Sequence, residues 1–183
     1  TLNDDGESYS VSGIGTCKDT NIIIPSLFNG KPVTLIADKA FYNTNYDNPK
    51  YAFTSITMPD SITQIGEMAF WGCTKLSNVD LSESLKTIGK WAFSDCYSLG
   101  YIRIPESVDM IGTGVFNFCK ALTNIDVANN NQQYKSINGD LYTKDGKTLV
   151  AYAIGKTDTS FTIPDSVISI GVLAFYQCTS LTS

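Results

Sequence analysis

Five cysteines and no histidine set the first limits on what chemistry this chain carries. Cys73, Cys96 and Cys119 recur at intervals of 23 residues, and Cys178 holds the same place in a later copy. If those copies stack, neighbouring thiols fall about 5 Å apart, within the Cα range of a disulfide. Side chains stacked in parallel point the same way, however, not toward one another. A zinc site would want histidine partners or Cys-x-x-Cys spacing, and the row has neither. The row is therefore expected as a ladder of buried free thiols in preference to disulfides or a metal centre. Five is an odd number, so at least one thiol is unpaired within the chain; Cys17 lies outside the row and is left unassigned.

The carboxylates suit catalysis no better. Asp80 and Asp126 occupy matching places two copies apart, a separation of about 10 Å, just beyond that of an inverting glycosidase pair. Arg103 is expected between them, which favours ionised, salt-bridged groups over a carboxylic acid with a raised pKa. The sequence has no glycine-rich phosphate loop, serine elbow or calcium-loop spacing. These absences predict a non-enzymatic protein with no cofactor and no metal. A net charge of −5, with 13 basic residues scattered along 183, argues against a nucleic-acid partner. No run approaches the ~18 apolar residues of a membrane helix, so direct membrane insertion is not expected.

The elements that position these groups follow from the period. The block Ile56-Thr57-Met58-Pro59 through Leu76 recurs from Val79, from Ile102 and from Phe161. Phe70, Phe93 and Phe116 are 23 residues apart, and Ile65-Gly66, Ile88-Gly89, Ile111-Gly112 and Ile170-Gly171 keep the same internal place. The first copy, from Ile22, carries an extra loop around residues 44–53. The fifth, from Ile125, runs 36 residues, 13 more than the standard repeat. Within it, Leu141 to Val150 reads as a hairpin closed at Asp145-Gly146, with Asn138-Gly139 as a second turn.

One repeat cannot bury its own apolar face, so stability must come from stacking. Ile102-Arg103-Ile104 alternates in, out, in, as a strand does, and proline ends the strand. The fold predicted is a β-rich right-handed solenoid of leucine-rich repeats with a 23-residue period and a β-hairpin insertion. It forms one domain over 1–183: an N-terminal cap over 1–21 with Tyr9-Ser10-Val11 as its strand, repeats over 22–124, an extended repeat over 125–160 and a last repeat over 161–183. That final repeat stops short, as expected of a piece of a longer protein.

Ile102-x-Ile104-Pro105-x-Ser107-Val108, then Ile111-Gly112, Phe116, Cys119 and Leu122, resembles the BspA-like, Treponema-type leucine-rich repeat. The opening Ile24-Pro25, Asn29-Gly30 and Ala40-Phe41, and the insertion from Tyr134 through Lys144-Asp145-Gly146-Lys147, are similar to that family too. Ser82 and Ala128 depart from it by replacing the strand-ending proline, and Val115 by replacing the alanine before Phe116. The resemblance implies secreted or cell-surface bacterial proteins, some of them adhesins for host matrix or other cells, and it brings no catalytic residues.

The binding candidates are the outward strand residues Asn78, Asp80, Tyr101, Arg103, Asn124 and Asp126, expected to form one continuous ribbon with Thr57 and Thr162. Tyrosine and arginine are the types favoured at interface hot spots. The expected function is a protein-binding module that recognises host extracellular-matrix, mucosal or neighbouring-cell proteins. The alternative is a passive spacer that holds another domain away from the surface. A second group, Trp71, Trp91, Tyr97, Phe118 and Tyr176, falls outside the core pattern. Exposed aromatics stack on sugar rings or anchor proteins, but packing between coils is the preferred reading.

Overall fold

In the computed structural model, which describes residues 1–182, the repeat becomes a β-solenoid without an α-helix among those residues. One face is a parallel row of β1 (Tyr9–Val11), β4 (Lys31–Ile36), β6 (Gln64–Ile65), β8 (Thr87–Ile88) and β10 (Met110–Ile111), with β3 (Leu27–Phe28) antiparallel to β4. The other face carries β2 (Asn21–Ile23), β5 (Ser55–Thr57) and β7 (Asn78–Asp80), followed by β9 (Tyr101–Ile104) and β11 (Asn124–Val127). The insertion forms β12 (Tyr134–Ile137), β13 (Asp140–Thr143) and β14 (Thr148–Ala151), an antiparallel meander; β14 then pairs in parallel with β15 (Ser169–Ile170). The cap strand, the hairpin and both of its turns thus form where the sequence places them. Asn138 and Gly139 have φ of 53° and 82°, as a two-residue hairpin turn demands.

Each coil closes on the same few contacts. Ile102 and Ile104 are fully buried while Tyr101 and Arg103 are exposed, so strand alternation sorts the core from the surface. Burying each such isoleucine stabilises the stack by about 1.5–3 kcal/mol. Phe41, Phe70, Phe93 and Phe116 pile in a column, with ring centroids 4.9, 5.2 and 6.1 Å apart and planes within 19° of parallel. The repeated glycine is there because the coils touch. A Cβ on Gly89 would lie 2.5 Å from the Gly66 carbonyl carbon, and one on Gly112 would lie 2.3 Å from the Lys90 nitrogen. Ser82, in place of proline, still closes its turn, its carbonyl accepting from Leu85 N–H at 3.1 Å.

The meander interrupts this regularity. Met110 and Gly112 donate backward to the preceding coil, so Ile111 N–H faces forward, where no ladder strand meets it; the Tyr134 hydroxyl accepts it instead at 3.0 Å. Asn131, fully buried, uses its whole amide: Nδ2 donates to the Pro105 and Val108 carbonyls, and Oδ1 accepts from Gln133 and Tyr134 N–H. Beyond the meander a separate small core gathers Tyr142, Leu149 and Ala174 against Phe161 and Phe175. Tyr152 there takes the place of the repeat phenylalanine. Its N–H donates to Ala174 O at 3.0 Å, as Phe70 N–H donates to Ala92 O at 2.8 Å.

The expected strand at Phe161-Thr162-Ile163 does not form. The meander occupies the edge of β11: Gly139 O accepts from Ile125 N–H, and the Ser136 hydroxyl donates to Ile125 O at 2.7 Å. No neighbour is left there for a strand from the last repeat to pair with.

Candidate functional site

All six candidate residues lie on the outward strand face, in register, but not on one ribbon. Asn78 and Asp80 pair with Ser55 and Thr57 across β5 and β7. Tyr101 and Arg103 pair with Asn124 and Asp126 across β9 and β11. Although β9 lies beside β7, no ladder joins them. The break falls at the coil that reads Val79-Asp80-Leu81-Ser82, where the shorter Val79 is only half-buried while Ile56, Ile102 and Ile125 are fully buried. The continuous ribbon is thus corrected to two patches. Thr162 belongs to neither, because its segment is not a strand, and exposed Ile23 extends the first patch beyond Thr57.

The electrostatics also differ from expectation. Arg103 does not bridge Asp80 and Asp126; its guanidinium reaches Glu83 in the strand-ending turn of the preceding coil, 2.6 Å away. Asp126 instead accepts from the Tyr101 hydroxyl at 3.5 Å, the diagonal neighbour across the pair. Burial first, and the Asp126 charge second, hold the Tyr101 phenol above its ordinary pKa, so it remains a neutral donor. Asn124 is exposed yet abutted by the insertion: a Cβ on Gly139 would lie 2.9 Å from its Oδ1.

The second patch gains a wall that the first lacks. The meander rises beside β11, so Asp126 sits between two open polar clefts. One, of ≈ 400 Å³, is lined by Arg103, Glu106 and Asn130; the other, of ≈ 200 Å³, by Lys135, Ser136 and Lys144. Acid, base and amide therefore line a concave step, which offers a partner several charge-assisted hydrogen bonds.

The cysteines form a ladder of three. The Cys73, Cys96 and Cys119 thiols donate to the carbonyls of Phe41, Phe70 and Phe93, one coil back, at 3.2, 3.3 and 3.1 Å. Burial pushes all three thiols far above their ordinary range. All five cysteines are free. Cys178 departs from the expected row of four: it lies half-buried beyond the meander, its pKa pushed up to about 11 by burial and then by Asp140. Among the described residues, no group of three or more Cys, Asp or Glu is arranged to hold a metal, and no helix is long and apolar enough to cross a membrane.

Two built-in polar groups escaped the sequence reading. Asp140, almost wholly buried, receives Ala153 N–H at 2.9 Å and the Lys156 ammonium at 2.7 Å. Asp95 is also buried, its carboxylate accepting from the hydroxyls of Ser94, Tyr46 and Tyr97. For Asp95 the only signal in the sequence was a carboxylate where other copies carry Gly72, Phe118 or Gln177; Asp140 lies in the insertion, which has no counterpart in the regular copies. Of the aromatic group, Trp71, Trp91, Tyr97 and Phe118 are half-buried and Tyr176 is exposed. Trp71 stacks on Tyr42 at 4.7 Å, and Phe118 meets Tyr176 edge-on at 5.3 Å.

Comparison with known proteins agrees with the coil geometry. The sequence matches the family described as BspA type leucine rich repeat region, in six copies over 34–142 and 151–183. A leucine-rich repeat protein from Bacteroides capillosus is 32% identical with a TM-score of 0.58, over 69% of this chain and 91% of that one. One from Eubacterium ventriosum is 25% identical with a TM-score of 0.64, over 95% of this chain but 53% of its own length. The T. pallidum leucine-rich repeat protein shares the fold at 23% identity and a TM-score of 0.54, over 93% of this chain and 77% of that one. No curated protein matches the sequence.

Proposed function

Because the chain belongs to the BspA type leucine rich repeat family, we propose that it is a non-enzymatic protein-binding module of a secreted or cell-surface protein, acting through the outward strand face. The observation that carries this reading is the second patch. Tyr101, Arg103, Asn124 and Asp126 lie on two paired strands with their polar ends exposed or half-exposed, beside the wall that the meander forms. Asn78 and Asp80 extend the contact toward the preceding coils. Extended partners suit such a face, because the strand register holds the side chains at fixed spacing on a backbone already ordered before binding. Host extracellular-matrix and mucosal proteins are the partners this reading names.

The test is capture of immobilised matrix and mucosal proteins by the native chain and by a variant carrying Asp80→Arg, Arg103→Glu and Asp126→Arg together. The only ion pair broken, Arg103 with Glu83, is exposed on both sides and is worth at most about 1 kcal/mol, so the melting temperature should barely move. Capture by the native chain that drops at least tenfold in the variant supports the binding face. Equal capture by both removes that face, and capture by neither leaves the chain as a spacer.

A further inference from the structure

On a different side of the rod, the coil corners leave a depression that the binding face does not use. One column of equivalent positions runs Tyr42, Trp71, Ser94, Asn117, Ala153, Tyr176: aromatic at both ends and small or polar in between. The two central coils therefore sink, and an open groove of ≈ 410 Å³ forms with Ser94 and Asn117 as floor and Trp71, Trp91, Phe118 and Tyr176 as walls. Its size falls within the ~300–1,000 Å³ of small-molecule clefts. Asp95 opens onto the same groove.

Asp95 decides what kind of ligand fits. Its carboxylate is buried, and none of the ion pairs among the described residues includes it. Three hydroxyls compensate it: Tyr46 and Tyr97 donate to Oδ1 at 3.2 and 3.1 Å, and Ser94 donates to Oδ2 at 2.9 Å. A carboxylate has about four acceptor sites, so one on Oδ2 remains unfilled by these three hydroxyls. A purely apolar occupant would strip water from that oxygen without replacing it. A quaternary ammonium would meet like-charge repulsion from the Lys90 ammonium, 3.9 Å from the Trp91 ring centroid, and a neutral C–H face would not. A ring with an apolar C–H face and hydroxyls around its edge satisfies walls and floor together.

We propose that this groove is a glycan-binding site for a neutral pyranose unit, whose C–H face packs on the tryptophan and phenylalanine walls while its hydroxyls donate to Asp95 and exchange hydrogen bonds with Asn117. It is independent of the protein-binding face.

The chain contains two tryptophans, and both line the groove, so intrinsic fluorescence reports on this site directly. The intact chain is titrated with cellobiose, lactose and chitobiose, and with tetramethylammonium as the cationic control. A saturable emission change with at least one disaccharide, weakened at least tenfold by Asp95→Asn or by Asn117→Ala, is the expected result. The charge-reversed strand-face variant should bind the same sugar unchanged. Asn117 is half-exposed, so its variant tests the site even if Asp95→Asn fails to fold. No saturable response to any of the sugars, a response to tetramethylammonium instead, or native affinity in the folded variants would overturn the proposal.

Discussion

The coils between 22 and 127 and the segment between 134 and 182 are written in the same repeat, yet they hold themselves together differently. In the first, Phe70 and Phe93 lie 5.2 Å apart and within 2° of parallel, and Ile65 and Ile88 are fully buried. In the second, Tyr152, Phe161 and Phe175 meet edge-on or tilted, and Ile170, in the same register place, is 42% exposed. Phe175 and Ile170 hold the repeat places of Phe93 and Ile88, but their neighbours differ. A repeat residue is buried by the coil on either side of it, so its energetic value belongs to the stack and not to its own sequence. Where the meander breaks the stack, side chains replace backbone ladder bonds: Tyr134 on Ile111, Asn131 on Pro105 and Val108, Asp140 on Ala153.

The sharpest way to break this comparison is to cut the same ring from each region. Phe93→Ala removes a fully buried ring stacked on both faces and should cost about 3–5 kcal/mol in denaturant unfolding. Phe175→Ala removes a half-buried ring and should cost distinctly less. Equal losses would mean that the two regions are energetically alike.

The junction comes next. Lys156→Met leaves the buried Asp140 carboxylate without its cation and should cost about 3 kcal/mol at neutral pH. Burial, the largest influence, raises the Asp140 pKa above its ordinary 3.8, while Ala153 N–H and Lys156 pull it down. The folded chain thus holds this proton more tightly than the unfolded chain does. The stability linked to it is fully present below pH 3.8 and is lost as pH rises through the folded pKa. The Lys156→Met deficit should therefore shrink on acidification, and Asp140→Asn should lack that pH dependence. A deficit independent of pH would separate Asp140 from the effect.

The smallest effect is kinetic. With iodoacetamide under native conditions, read by mass spectrometry, Cys17 should label first and Cys178 more slowly. Cys73, Cys96 and Cys119 should label only on unfolding, because their thiols are buried and bonded to carbonyls one coil back. Rapid labelling of Cys96 would show that the regular coils open far more readily than their packing implies.

The period, the inward set of isoleucine, phenylalanine and cysteine, and the two hairpin turns were all legible, because each depends on local spacing or on a residue type that one conformation demands. Glycine beside the repeat isoleucine and Asn138-Gly139 at a tight turn leave little choice of backbone. The candidate strand residues were legible too, as positions but not as partners. Arg103 reaches Glu83, and the ladder lapses between Asp80 and Arg103, because side-chain pairing depends on strand offset and on how far Val79 lets the coil settle.

What the amino-acid sequence determined by itself is therefore the stack: a rigid 23-residue repeat of apolar residues has one economical way to leave water, coil upon coil. Only the tertiary structure decided where the stack is interrupted, that Tyr152 stands in for a phenylalanine, and that Asp95 faces a groove ringed by aromatics from several coils. The physical reason is range. Periodicity is a property of neighbours along the chain, whereas a seam, a substitute or a groove is made by residues more than one turn apart, and their meeting depends on every coil between them.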